Sequence, residues 1–322
     1  MSAFQKHSFC VGTRRHEQPN APVHSVSLGL DRTSSSTGCR QRMGPLALPA
    51  GSGFWHCCSM EKITNVFVPV SGLEAHERAV AVGAAMARRL GTSLSLVEHR
   101  APNMLFHSDE RYLKALAAEQ HVPEVVTALS TGGDLAAWMV EKTQDPNQLV
   151  CMAAAPHQLV VPGSVTAAVL RFAAHPVLMV GPAVSRRWTS KINTVVVPVD
   201  GSKSAEKSVE VAAKLASALH AELRIIQVIE LADAFLVKET HGDVLESNYV
   251  RVLAESVGHE TNVTWEVLHG KPGPAIVDCV SLLEHPIVVM SPYGNSGGQH
   301  VLGSVTHRVM HASAAPVLVT RP

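Results

Sequence analysis

The chain repeats itself, and no other feature limits its fold as tightly. Ile63-Thr-Asn-Val-Phe-Val-Pro-Val-Ser-Gly returns as Ile192-Asn-Thr-Val-Val-Val-Pro-Val-Asp-Gly. Gly163-Ser-Val-Thr, followed by His175-Pro-Val-Leu-Met-Val, returns as Gly303-Ser-Val-Thr, followed by Ala315-Pro-Val-Leu-Val-Thr. Between these, Gly132 to Met152 overlays Gly270 to Met290 without a gap. Beginnings, middles and ends that match in the same order mark a duplication, so both copies must satisfy one architecture. The connector runs from Gly181 to Ser190 and carries Pro182, Ser185 and two arginines.

Each copy alternates strand and helix patterns. In the second, Thr194 to Val197 is a β-branched run of the kind buried on both faces of a sheet. Ser202 or Ser204 is placed to cap a helix over Ala205 to Leu219, with Val209, Ala212, Ala213 and Ala216 on one small-residue face. Strands are predicted at Glu222 to Ile229, Val263 to Leu268, Ile287 to Met290 and Val317 to Thr320. Helices are predicted over Ala232 to Val257, broken at Gly242-Asp243, over Ala275 to Leu283, and from Ser304 onward. Strand–helix alternation implies right-handed crossovers and a parallel sheet covered on both faces. A ligand of such a sheet lies at the carboxyl ends of its strands, at the topological switch point.

The segment after Met290 holds Gly294, Gly297, Gly298 and Gly303 before the last helix. A strand, a glycine-rich loop and a helix start together aim backbone N–H groups and a helix dipole at an anion. Composition narrows the partners. The chain has a formal net charge of zero, which gives no global attraction to nucleic acid or an anionic membrane. No apolar run approaches the roughly 20 residues of a membrane span. The six cysteines, Cys10, Cys39, Cys57, Cys58, Cys151 and Cys279, form no C-x-x-C pair, a usage that fits a reducing, cytoplasmic setting. Among the 18 histidines, His307 and His311 have helical i,i+4 spacing but lack the glutamate of H-E-x-x-H, so no metal site is expected.

Residues 1–60 differ in character: Ser34-Ser35-Ser36-Thr37-Gly38, scattered arginines, few acids and no sustained period. Such a segment buries too little apolar surface to offset its ordering entropy and is expected to be disordered. A Ser/Arg-rich leader of organellar type is the minor alternative, and Met60 is a candidate start of the natural chain. Domains are expected at 61–182 and 190–322.

The combination of Val-Val-Pro-Val-Asp-Gly-Ser at Val196–Ser202, His269-Gly-Lys-Pro, and Ser291-Pro-Tyr-Gly-Asn-Ser-Gly-Gly with Leu302-Gly-Ser-Val-Thr resembles the universal stress protein family in its tandem two-domain form. The resemblance implies two five-stranded parallel α/β domains of the adenine-nucleotide-binding, Rossmann-like type, ordered 3-2-1-4-5 and often paired through the last strand. It also implies ATP with Mg²⁺ at a G-x2-G-x9-G-[ST] loop, with an acid after the first strand. Carried over position by position, this assigns Val199, Asp200 and Val228 to the ribose and adenine side. Gly294, Gly297, Gly303, Ser304 and Val305 fall on the phosphate side. Two departures stand out: Ser291 occupies the first glycine position, and eight residues separate Gly294 from Gly303 where the family has nine. The first copy departs further, with Ser71 at the acid, Ala153 and Pro156 at the leading glycines, and Pro156 removing an amide donor. It is expected to be a scaffold that packs against the second copy.

Structural roles compete for the same residues. Asp200 serves either a ribose or the turn before Ser202. Gly303-Ser304 recurs as Gly163-Ser164 in the degenerate half, which makes helix capping its alternative role. Lys271 reads as a solvated loop lysine, Trp138 as core, and Pro69, Pro198, Pro176 and Pro316 as structural. No Walker A loop, nucleophile elbow or paired-carboxylate constellation is present, so an enzyme is not expected. Three readings follow. The first is a regulatory stress protein that binds ATP in its second domain. The second is a stress protein that binds no nucleotide and acts through homodimerisation and protein contacts. The third is a weak ATPase or nucleotidyl-transfer enzyme.

Overall fold

The structure is a computed structural model that describes residues 63–70, 74–100, 110–154, 164–188, 191–230, 242–257, 261–294 and 302–321. The amino-terminal stretch expected to be disordered lies outside the described residues. The first half contains β1 (Asn65–Val70), α1 (Glu74–Leu90), β2 (Ser93–Arg100), α2 (Glu110–Ala118) and β3 (Val125–Thr131). It continues through α3 (Leu135–Lys142), β4 (Gln148–Ala153), α4 (Val165–Phe172) and β5 (Val177–Val180). The second half contains β6 (Thr194–Val199), α5 (Lys203–Ala218), β7 (Glu222–Ile229), α6 (Gly242–Ser256) and β8 (Val263–His269). It ends with α7 (Pro272–Ser281), β9 (Pro286–Met290), α8 (Ser304–Ala312) and β10 (Val317–Val319).

Among the described residues ten strands join one sheet in the order β3-β2-β1-β4-β5-β10-β9-β6-β7-β8. Each half therefore has the expected 3-2-1-4-5 order, counted from its own first strand. Pairing within each half is parallel, and the two halves meet antiparallel where Val317, Leu318 and Val319 of β10 face Met179, Leu178 and Val177 of β5. The last-strand edge, through which the resemblance implies pairing of copies, is thus occupied by the chain itself. One core layer, under α1, α5 and the connector, includes Leu96, Val197, Leu215 and Trp188. The other, under α3, α4, α7 and α8, includes Phe67, Met179, Val288 and Met310. Every residue of β5, β9 and β10 is buried, as the continuous apolar runs require of strands covered on both faces.

The helix starts differ from the sequence expectation. Gly242-Asp243 stands at the start of α6, and the part of the expected helix before it lies outside the described residues. The next helix, α7, begins at Pro272, where a missing N–H costs nothing in the first turn. Ser202 caps α5 by accepting from the Ala205 N–H at 3.2 Å, whereas Ser204 is committed elsewhere.

The repeated prolines shape the switch point. Pairing of β6 with β9 stops at Val196, while pairing with β7 runs on to Val199. Pairing of β1 with β4 likewise stops at Phe67 while β2 continues to Val70. Pro198 and Pro69 sit just past these stops and have no N–H to extend a ladder. The sheet therefore parts between the first and fourth strands of each half, at their carboxyl ends.

Candidate functional site

The cleft between β6 and β9 is bordered by two turns. On the β6 side, Val199 is buried, Asp200 is exposed, and Gly201 holds the left-handed φ of +79° that turns the chain into α5. Asp200 Oδ1 accepts the Ser202 N–H at 3.0 Å. Asp200 therefore shapes the turn and is not the cap.

On the β9 side, Ser291 is 8% exposed and its hydroxyl donates to the Tyr293 carbonyl at 2.7 Å. Ser204 donates to the same carbonyl at 2.9 Å, and the Ser202 and Ser204 hydroxyls lie 3.1 Å apart. Thr306 Oγ1 donates to the Ser291 carbonyl at 2.9 Å, and the Gly303 N–H donates to the Pro292 carbonyl at 2.7 Å. This hydroxyl chain ties the start of α5, the end of β9 and the start of α8 into one unit. Ser291, at the family's first glycine position, anchors that unit.

The two turns meet at Gly294. A Cβ built there would stand 2.2 Å from Asp200 Oδ2, so only glycine lets the carboxylate lie against this backbone. At Gly303 a Cβ would come 3.2 Å from the Pro292 carbonyl oxygen. The structure thus brings together Asp200, Gly294, Gly303 and Ser304, four residues singled out from the sequence. Val228 and Val305 are half-buried and both pack on the α7/α8 core layer. Gly297 and Gly298 lie outside the described residues. Lys271 is exposed and precedes α7 without a side-chain cap bond.

The two Gly-Ser pairs differ. In the first half Ser164 is the N-cap of α4 and accepts the Ala167 N–H at 3.2 Å. In the second half the N-cap of α8 is Gly303, which has no side chain to cap the helix, and Ser304 is exposed. The start of α8 also presents the positive end of the helix dipole.

The first half fills the corresponding region with side chains. His99, the counterpart of Val228, is 4% exposed and stacks on Trp138 at 4.6 Å. Trp138 in turn makes an edge contact with Phe67 at 5.6 Å. Ser71 and Pro156 lie outside the described residues.

Sequence reasoning missed the hydroxyl chain and a Tyr–Glu pair present in both halves. Tyr249 donates to Glu206 at 3.3 Å and Tyr112 to Glu77 at 3.5 Å. Burial, then the facing Glu206 carboxylate and the bond to it, push the Tyr249 phenol up to about 12. Burial, and then Glu77, raise Tyr112. The recurrence of Glu and Tyr at matched places in both copies was the available signal. Burial raises the Cys151 thiol, which is enclosed in the core. Among the described residues no three His, Cys, Asp or Glu side chains gather to hold a metal. The His307 and His311 rings lie 5.0 Å apart.

The fold defines a doubly wound α/β protein whose second half brings Asp200 and Gly294 together at its switch point. Residues 191–321 match the universal stress protein family. Universal stress proteins of Mycobacterium tuberculosis and Mycobacterium bovis are each 27% identical over 149 residues, covering 39% of this chain and 47% of the relative. The chain spans about half the length of these curated relatives. A universal stress protein from Archaeoglobus fulgidus shares the fold with a TM-score of 0.58 at 20% identity, over 81% of this chain and 99% of its own. A protein of unknown function from Pseudomonas aeruginosa does so at 0.57 and 19%, over 82% and 94%.

Proposed function

We propose that the chain is a cytoplasmic stress-response module with domains at 61–182 and 190–322, and that the second binds ATP with Mg²⁺ as a regulatory ligand. The observation that carries this reading is the Gly303 start of α8, with Ser304 exposed, beside the Asp200–Gly294 contact. The phosphates would take the first amides of α8 and the Ser304 hydroxyl, and Asp200 would take the ribose. Mg²⁺ would be held chiefly by the phosphates, since the described residues offer it no carboxylate cluster. The first domain, with α4 capped by Ser164 and His99 stacked on Trp138, serves as a scaffold.

Thermal unfolding with and without Mg-ATP tests this. A ligand at 100 times its Kd that binds only the folded state adds about 2.7 kcal/mol. Ser304→Ala and Asp200→Ala are expected to reduce that gain. An unfolding curve that millimolar Mg-ATP leaves in place would instead support a protein acting through protein contacts alone. A gain that survives both substitutions would move the site elsewhere. Sustained phosphate release, lost in Asp200→Ala, would favour the weak-ATPase reading.

A further inference from the structure

A cavity of about 690 Å³ lies in the first half, bordered by α1, α2 and the connector. That volume is in the range of small-molecule sites. Its apolar lining comes from Ala81 of α1, Leu116 of α2 and Trp188 of the connector, which is 7% exposed. Tyr112 adds a second aromatic ring.

Three arginines from separate parts of the chain border the same space: Arg88 of α1, and Arg186 and Arg187 of the connector. Arg186 pairs with Glu77 at 3.5 Å, and Glu77 also accepts from Tyr112. Among the described residues the other two arginines have no carboxylate partner. Arg88 is half-buried and donates to the Gln120 carbonyl; burial lowers its pKa, and no anion offsets this. Arg187 is exposed and bonds through its backbone N–H to Ser185 Oγ at 3.1 Å. The acids of the lining are Glu77 and Glu119, so the three arginines leave it a positive surplus. The second copy is an internal comparison. It keeps the pair of Tyr249 and Glu206, yet the position of Arg88 holds Ser217. The Tyr–Glu pair is therefore shared architecture, whereas the Arg88 cation belongs to the first half.

Guanidinium groups present a fixed fork of N–H donors that matches a carboxylate, and apolar walls beside them suit an apolar body. We propose that this cavity binds a small aromatic carboxylate, its anion held by Arg88 and Arg187 and its ring set against Tyr112, Leu116 and Trp188. The site is separate from the switch point and does not depend on nucleotide binding.

The test is titration calorimetry of the full chain with naphthoate, naphthylmethanol and naphthylmethylammonium, which share one ring system and differ in charge. Naphthoate is expected to bind roughly tenfold tighter than the alcohol, the worth of a charge-assisted hydrogen bond at a partly exposed site, and the ammonium weakest. Arg88→Met combined with Arg187→Met should bring naphthoate down to the affinity of the alcohol. Ala115→Trp, at an exposed position of α2 that borders the cavity, should fill the space and abolish binding of both while leaving the Arg88 bond to Gln120 in place. No binding of naphthoate, equal affinities for the three probes, or a naphthoate affinity that neither variant moves overturns the proposal.

Discussion

Gly181→Ala tests how firmly the two halves are joined. Gly181 follows β5 in the first half and lies against α8 of the second. A Cβ there would stand 1.9 Å from the Met310 carbonyl oxygen and 3.1 Å from its carbon. Because the first separation is at least about 1 Å too short for any non-bonded contact, the end of β5 and the helix must move apart. Neither side yields easily: β5 is buried between β4 and β10, and Met310 is itself fully buried. Overpacking costs about 1–3 kcal/mol, and a clash with backbone belongs near the upper end, about 3 kcal/mol. At about 2–4 °C per kcal/mol for chains of this size, the Tm should fall by about 6–12 °C. Urea unfolding is the assay, with the midpoint lowered at an unchanged slope. Gly83→Ala is the companion: its Cβ would meet side chains alone, Val68 at 2.5 Å with Val66 and Leu94 at 3.6 and 3.7 Å, and a central helical glycine gains about 1 kcal/mol on becoming alanine. It should cost clearly less than Gly181→Ala, because a side chain and not backbone must shift. A loss below about 0.5 kcal/mol for Gly181→Ala would refute the reasoning and show that the β5–α8 contact is loose.

Ser164→Ala should cost about 1 kcal/mol of stability in urea, the usual worth of an N-cap, whereas Ser304→Ala should cost almost nothing and lower nucleotide affinity instead. Gly294→Ala should displace the Asp200 carboxylate and weaken nucleotide binding more than it lowers the Tm, because the group it meets is an exposed side chain. The Tyr249 phenol is raised in the folded state, so its contribution is present below about pH 10 and is lost as pH rises towards about 12. Phenolate absorbance against pH, together with unfolding curves, should show that loss, and Tyr249→Phe should reduce it. A fragment of residues 190–322 should self-associate through the uncovered edge of β10 and sediment above its monomer mass.

Much of the fold was legible because buried parallel strands and their flanking helices leave local patterns. Thr194 to Val199 and Pro286 to Met290 are buried on both faces, and only apolar runs satisfy that. Helix starts were less legible. Pro272 and Gly242 fit first turns as well as loops, and only the surrounding packing decides between these roles. At the site, Asp200 and Gly294 could be chosen separately from the sequence, but their contact could not, since it depends on how the β6 and β9 turns approach.

Duplication, the alternation of strand and helix, and the asymmetry between a half with Asp200 and a half with Ser71 belong to the sequence alone, because each is written in local composition and spacing. Tertiary structure decided three things. The last strands pair within the chain, Ser164 caps its helix while Ser304 does not, and the Asp200 carboxylate lies against Gly294. Each turns on a distance between residues far apart in the chain or on the aim of a side chain, and no local pattern encodes either.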